Sequence, residues 1–107
     1  MFVKIYQYHI QKEKEEEYLS IQEKAGEIYA KHIDLHTLYF KSKENDTKWL
    51  EINCYKDQDT YNKSIELINK QIEIQKLFKS FQSVLVSEKS EILEEDFIKI
   101  KEKCTFK

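Results

Sequence analysis

Residues 49–81 read WLEINCYKDQDTYNKSIELINKQIEIQKLFKSF, and a change of period inside this stretch decides the fold. The opening residues alternate strictly. Leu50, Ile52 and Cys54 fall on one side, and Trp49, Glu51, Asn53 and Tyr55 on the other, because successive side chains of a strand point to opposite faces. One face is aliphatic and the other aromatic and polar. A polar turn follows, in which Asp57 or Asp59 can accept a free first-turn amide and cap a helix. Ile65 and Ile68 then continue a helical stripe, and the phase slips around Asn69, Lys70 and Gln71. Ile74, Leu77, Phe78, Phe81 and Leu85 form a second stripe. The spacing predicts a helix, a break and a short helix.

The N-terminal half repeats the succession. Residues 2–10 place Val3, Ile5, Gln7 and His9 on one side of a strand and Phe2, Lys4, Tyr6, Tyr8 and Ile10 on the other. Bulky groups on both sides imply that each face of the sheet is covered. From Glu13 a helix begins, with Tyr18, Ile21, Ala25, Ile28 and His32 at helical spacing and Leu19 and Tyr29 widening the stripe. Gly26, the one glycine, lies inside it, at a cost of ~1 kcal/mol relative to alanine; it is expected to let the helix pack closely on the sheet. Residues 35–41 form the second strand, KENDT at 43–47 a turn, and 48–55 the returning hairpin strand. SEKS at 87–90 connects to a last strand at 91–99. The order β-α-β-β-α-β implies a ferredoxin-like α+β sandwich with a four-stranded antiparallel sheet and helices on one face. Residues 1–107 are expected to form one domain, with 98–107 as a C-terminal tail.

Composition narrows the function. The net charge is −2 with opposite signs interspersed, which leaves no basic face for nucleic acid. All 18 basic residues are lysine, so bidentate arginine recognition of phosphate or carboxylate is unavailable. No apolar run approaches the ~18 residues of a membrane span. Cys54 and Cys104 lack a CxxC spacing and read as free thiols of a reducing compartment, which points to the cytoplasm.

If helices cover the aliphatic face, the other exposes Tyr6, Tyr8, Trp49, Glu51, Asn53 and Tyr55. Such a patch is unusual on a monomer. The economical cover is a second copy packed sheet to sheet, burying well over roughly 1,000 Å². These six residues are therefore expected to form the dimer face, or a pocket for a small aromatic ligand, or both. Trp49 in particular is expected at the subunit contact, where its burial would contribute ~2–3 kcal/mol per protomer. Trp49→Ala would then weaken association, and Leu50→Ala would loosen the core.

The order of elements and the segment WLEINCYKDQDTYNKSIEL…IQKLFKSFQSVL resemble the dimeric α+β barrel superfamily, above all its antibiotic-biosynthesis-monooxygenase-like and NIPSNAP-like branches. The resemblance spans about residues 2–98. It rests on an aspartate and an aromatic at the start of the helix, here Asp57 and Tyr61, and on an I-Q-x-L-F helix, here Ile74-Gln75-Lys76-Leu77-Phe78. It implies a homodimer, and either a cofactor-independent monooxygenase of an aromatic or quinone-like substrate or a non-catalytic ligand-binding or stress-related module. In the first case a substrate carbanion, rather than a flavin or a metal, would react with oxygen. The haem-degrading branch has an asparagine in strand one, a tryptophan early in the second helix and a histidine some ten residues on. Here Tyr6, Ser64 and Lys76 or Leu77 stand near those positions, which argues against haem degradation.

No nucleophile with an adjacent base, phosphate loop or metal cluster is apparent. His9 and His36 lie on strands and His32 at a helix end, without the spacing of a ligand pair. His32 fits a helix C-terminus. The acidic run at 13–17 suits a helix start, and alternation separates Glu94 and Asp96 from Glu95, which weakens a shared metal site. No cofactor is expected. Tyr6, His36 and Asn53 are the catalytic candidates, His36 as a base pointing into the barrel.

Overall fold

Tyr55 is the last residue of a strand, and Asp57, two residues on, starts the helical layer that lies over the sheet. In the computed structural model, which describes residues 1–106, β1 spans Phe2–His9, α1 Glu15–Ala30, β2 Leu35–Lys41 and β3 Lys48–Tyr55. Then come α2 (Gln58–Asn69), α3 (Ile72–Val84) and β4 (Leu93–Ile98). The four strands form one antiparallel sheet in the order β2-β3-β1-β4. This is the ferredoxin-like arrangement, with the second helical segment split in two.

The local reasons are visible. Asp57 caps α2 by accepting the Thr60 amide at 2.7 Å; it is Asp57 and not Asp59 that does so. Glu15, Glu16 and Glu17 occupy the first turn of α1, where carboxylates oppose the positive end of the helix dipole. At the break between α2 and α3 the Gln75 side chain donates to the Asn69 carbonyl at 3.1 Å, satisfying an acceptor that the helix end leaves free.

The faces of the sheet are the reverse of those expected from the sequence. Trp49 is only 6% exposed and lies under the helices, its ring 4.9 Å from that of Tyr18 in α1. Tyr8 meets Phe81 of α3 edge-on at 4.9 Å, and Tyr55 meets Tyr61 of α2 at 4.7 Å. Leu50, Ile52 and Cys54 lie on the helix-free face. No bulge causes this, because β1, β2, β3 and β4 pair without interruption. The cause is packing. Aromatic rings bury more area per residue than aliphatic ones, and beside the buried Ile21 and Ile28 the inward side of α1 carries Tyr18, Gln22 and Tyr29. The polar groups of Tyr18 and Gln22 find partners on the aromatic, polar side of the sheet. Trp49 is thus a core residue, and it does not lie at a sheet-to-sheet contact.

The core divides into two clusters. Tyr8, Ile10, Tyr18, Ile21, Trp49, Phe81, Val84 and Leu85 fill one end, and Phe2, Ile28, Ile33, Tyr55, Ile68 and Ile74 the other. Leu77 packs against both. Gly26 does not serve close packing: a Cβ built there meets no neighbouring atom within 4 Å, and its φ is not positive.

Two stability outcomes follow from this placement. Trp49→Ala opens a void in the first cluster and should lower unfolding free energy by about 3–5 kcal/mol in urea denaturation. Gly26→Ala should raise it by about 0.5–1 kcal/mol, since the backbone loses freedom in the unfolded chain and nothing is crowded in the folded one.

Candidate functional site

Between the two clusters lies a cavity of about 510 Å³, roofed by the helices and floored by the central strands. Its floor follows from strand register. Tyr39, Glu51, Tyr6 and Glu94 are successive cross-strand neighbours, and Thr37, Asn53, Lys4 and Asp96 form the next row. Alternation sends both rows toward the helices.

Glu51 is the hub. Its Oε1 accepts from the Tyr8 hydroxyl at 2.7 Å and from Gln22 Nε2 at 3.4 Å, and its Oε2 accepts from Asn53 Nδ2 at 2.8 Å. The Thr37 hydroxyl donates to Asn53 Oδ1 at 2.7 Å, which turns the amide nitrogen of Asn53 toward the carboxylate. Tyr8 has one proton, and it is given to Glu51. The 2.6 Å contact between the Tyr8 and Tyr18 hydroxyls is therefore made by Tyr18 donating to Tyr8. Tyr39 donates to Gln22 Oε1 at 3.3 Å. Three donors thus point at the carboxylate, and each is tied by a further hydrogen bond.

Burial pushes the Glu51 carboxyl above the usual carboxylate range, and the bonds from Asn53 and Tyr8 pull it partly back. Burial also raises Tyr6, Tyr8, Tyr18 and Tyr39 well beyond the ordinary phenol range, with nearby carboxylate charge adding to the effect. Tyr29 is pushed up to about 12, by burial first. At neutral pH these tyrosines act as neutral donors.

A second polar centre borders the cavity. Lys4, 5% exposed, binds Glu94 at 2.8 Å and Asp96 at 2.7 Å, and its ammonium lies 5.1 Å from the Tyr61 ring centre. Burial, the largest single influence, lowers the Lys4 pKa, but the two carboxylates together outweigh it and leave it raised. Alternation had already placed Glu94 and Asp96 on one face; the lysine between them was not anticipated. The signal lay in its place among Phe2, Tyr6 and Tyr8, where an unpaired ammonium could not stay.

The structure brings Tyr6, Tyr8, Glu51, Asn53 and Tyr55 together around this cavity, on the helix side of the sheet and away from the face expected for a dimer. Trp49 stands behind them in the first cluster. His36 is exposed on the opposite face, paired across from Cys54, so it does not reach the cavity. His9 lies on that face too, with Nδ1 3.0 Å from Thr47 Oγ1. Gln22, Thr37 and Tyr39 belong to the network and were missed by sequence reasoning. Gln22 could have been found as the one amide within the buried stripe of α1.

No known family model matches the chain, and no curated protein matches its sequence. Solved structures do match its fold. An uncharacterised NIPSNAP domain protein from Burkholderia xenovorans superposes with a TM-score of 0.72 at 16% identity, over 94% of this chain and 95% of that one. SnoaB, a cofactor-independent oxygenase from Streptomyces nogalater, gives 0.66 at 12% identity, over 94% and 92%. An antibiotic biosynthesis monooxygenase gives 0.69 at 12% identity, over 94% and 100%. The chain thus has the ferredoxin-like α+β fold of NIPSNAP-domain and antibiotic-biosynthesis-monooxygenase-like proteins.

The raised carboxyl has a measurable signature. Between its unfolded and folded pKa values Glu51 binds more protons in the folded state, so its contribution to stability falls as pH rises through that window. Relative to wild type, Glu51→Gln should therefore gain stability as pH increases from the ordinary carboxylate value upward. Denaturation of both proteins across acid to neutral pH checks this, and a flat difference would contradict it.

Proposed function

We propose that this chain is a homodimeric oxygenase acting on an aromatic or quinone-like small molecule without flavin or metal. The observation that supports this most is the Glu51 carboxylate, held by neutral donors at the floor of an aromatic-walled cavity. A carboxyl whose pKa is raised by burial is a stronger base than a solvated one. The fold likeness to SnoaB lends further support.

In this reading the substrate is a fused aromatic ring whose methylene is acidified by a neighbouring carbonyl. Glu51 takes the methylene proton, and the resulting carbanion transfers an electron to dioxygen. Recombination forms a C–O bond, and Glu51 returns the proton to the peroxide. Loss of water breaks the O–O bond and leaves a carbonyl, with one oxygen atom in the product and the other in water. Tyr6 and Asn53 position the ring and the base; the raised pKa of Tyr6 fits it to donate rather than to deprotonate. Oxygen-electrode assays with anthrone-type rings should show uptake that Glu51→Gln lowers by about 10²–10⁴-fold. A wild-type protein that binds such rings yet consumes no oxygen would instead mark a non-catalytic ligand-binding or stress-related module.

The helix-free face supports the homodimer. Leu38, Phe40, Leu93 and Phe97 are all exposed there, beside half-buried Val3, Ile5, Leu50 and Ile52. Ile5, Ile52 and Leu38 are cross-strand neighbours, so the aliphatic patch is continuous. Packing two such faces about a two-fold axis would cover it. Light scattering should give a dimer at micromolar concentration and a folded monomer for Ile52→Glu. A wild-type monomer would overturn the assembly.

A further inference from the structure

Six of the seven tyrosines wall the cavity: Tyr6, Tyr8, Tyr29, Tyr39, Tyr55 and Tyr61. The charged side chains that line it are Glu51 and Glu94; no lysine or histidine does, and the chain has no arginine. Glu94 already has a counter-ion in Lys4, which it shares with Asp96. Glu51 does not. Among the described residues no cationic nitrogen lies within 4 Å of its carboxylate. Its partners, Tyr8, Asn53 and Gln22, are all neutral.

A carboxylate taken out of water without a counter-charge is held at a cost, even when its oxygens are hydrogen-bonded. The faces of aromatic rings carry negative potential and attract cations, tyrosine included. Here both features surround one space. An anionic ligand would meet the Glu51 carboxylate and ring faces of the same sign, while Lys4, the cation bordering the cavity, is already shared between Glu94 and Asp96. A cationic one would supply the missing counter-ion to Glu51 and lie against the rings.

We propose that the cavity takes an aromatic ligand bearing a positively charged amine or ammonium group, which docks against the Glu51 carboxylate while its ring lies among the tyrosines. The inference rests on the proposed function in using the same cavity as the substrate site, and it narrows the substrate to amine-bearing aromatics, with the ammonium on one Glu51 oxygen, the methylene at the other, and the carboxylate a weaker base than it is without the ion pair.

Three probes of one shape and different charge test it: naphthylmethylammonium, naphthalenemethanol and naphthoate. Calorimetric titration under nitrogen excludes turnover. The ammonium should bind the wild-type protein at least about tenfold more tightly than the alcohol, with the carboxylate weakest. In Glu51→Gln the ammonium and the alcohol should converge. Equal affinities in the wild-type protein, preference for naphthoate, no binding of any probe, or an undiminished preference in Glu51→Gln would each overturn the proposal. The wild-type series stands alone should that variant fail to fold. A preference for the ammonium without oxygen uptake from any aromatic substrate would leave the inference in place and remove the oxygenase reading. Oxygen uptake without charge preference would do the opposite.

Discussion

A carboxylate at the middle of the sheet, beneath the helices, is the constraint on which the rest of this molecule depends. Water cannot hydrate Glu51 freely there, so Tyr8, Asn53 and Gln22 donate to it. Each of those has its own requirement, met by Tyr18, Thr37 and Tyr39 in turn. The resulting network joins three strands to α1 and leaves no buried side-chain polar atom without a partner among the described residues. Aliphatic side chains could not fill this centre without stranding one of these groups. The apolar core is therefore displaced to either side, and a cavity is left between.

Much of the fold could be read from the residues. The boundaries of β2 and β3 follow from alternation and from the turn at 43–47, and the break at Asn69 to Gln71 from a slip in helical phase. The last strand is shorter than the expected 91–99, at Leu93–Ile98. Ile98 lies opposite Phe2, where β1 begins, and at the other end pairing stops at Gln7 and Leu93 although β1 runs on to His9, whose carbonyl accepts from the Val86 amide instead. Which face of the sheet meets the helices could not be decided from the strands alone. Leu50, Ile52 and Cys54 look more like a core than Trp49, Glu51, Asn53 and Tyr55 do. Further information lies in α1, where Tyr18, Gln22 and Tyr29 share the inward side with the buried Ile21 and Ile28. A helix that presents hydroxyls and an amide inward calls for a sheet face able to answer them. The residues around the cavity were thus identifiable by type, and their location depended on a match between elements distant in sequence.

At 9–16% identity the solved structures share this fold while sharing few of its side chains. Such divergence is what is expected when alternation, caps and packed area specify the backbone. The polar network is a different kind of feature. It depends on individual atoms, since replacing one donor leaves another group unsatisfied.

The division of the core also bears on how the molecule tolerates change. The two clusters lie at opposite ends of the sheet, and Leu77 is the side chain that packs on both. Substitutions far apart and without shared partners act independently on stability. A change beside Trp49 and one beside Tyr55 are therefore nearly uncoupled, except through Leu77 or the carboxylate between them. Either end can drift in sequence while the other, and the cavity wall it supports, stays as it is.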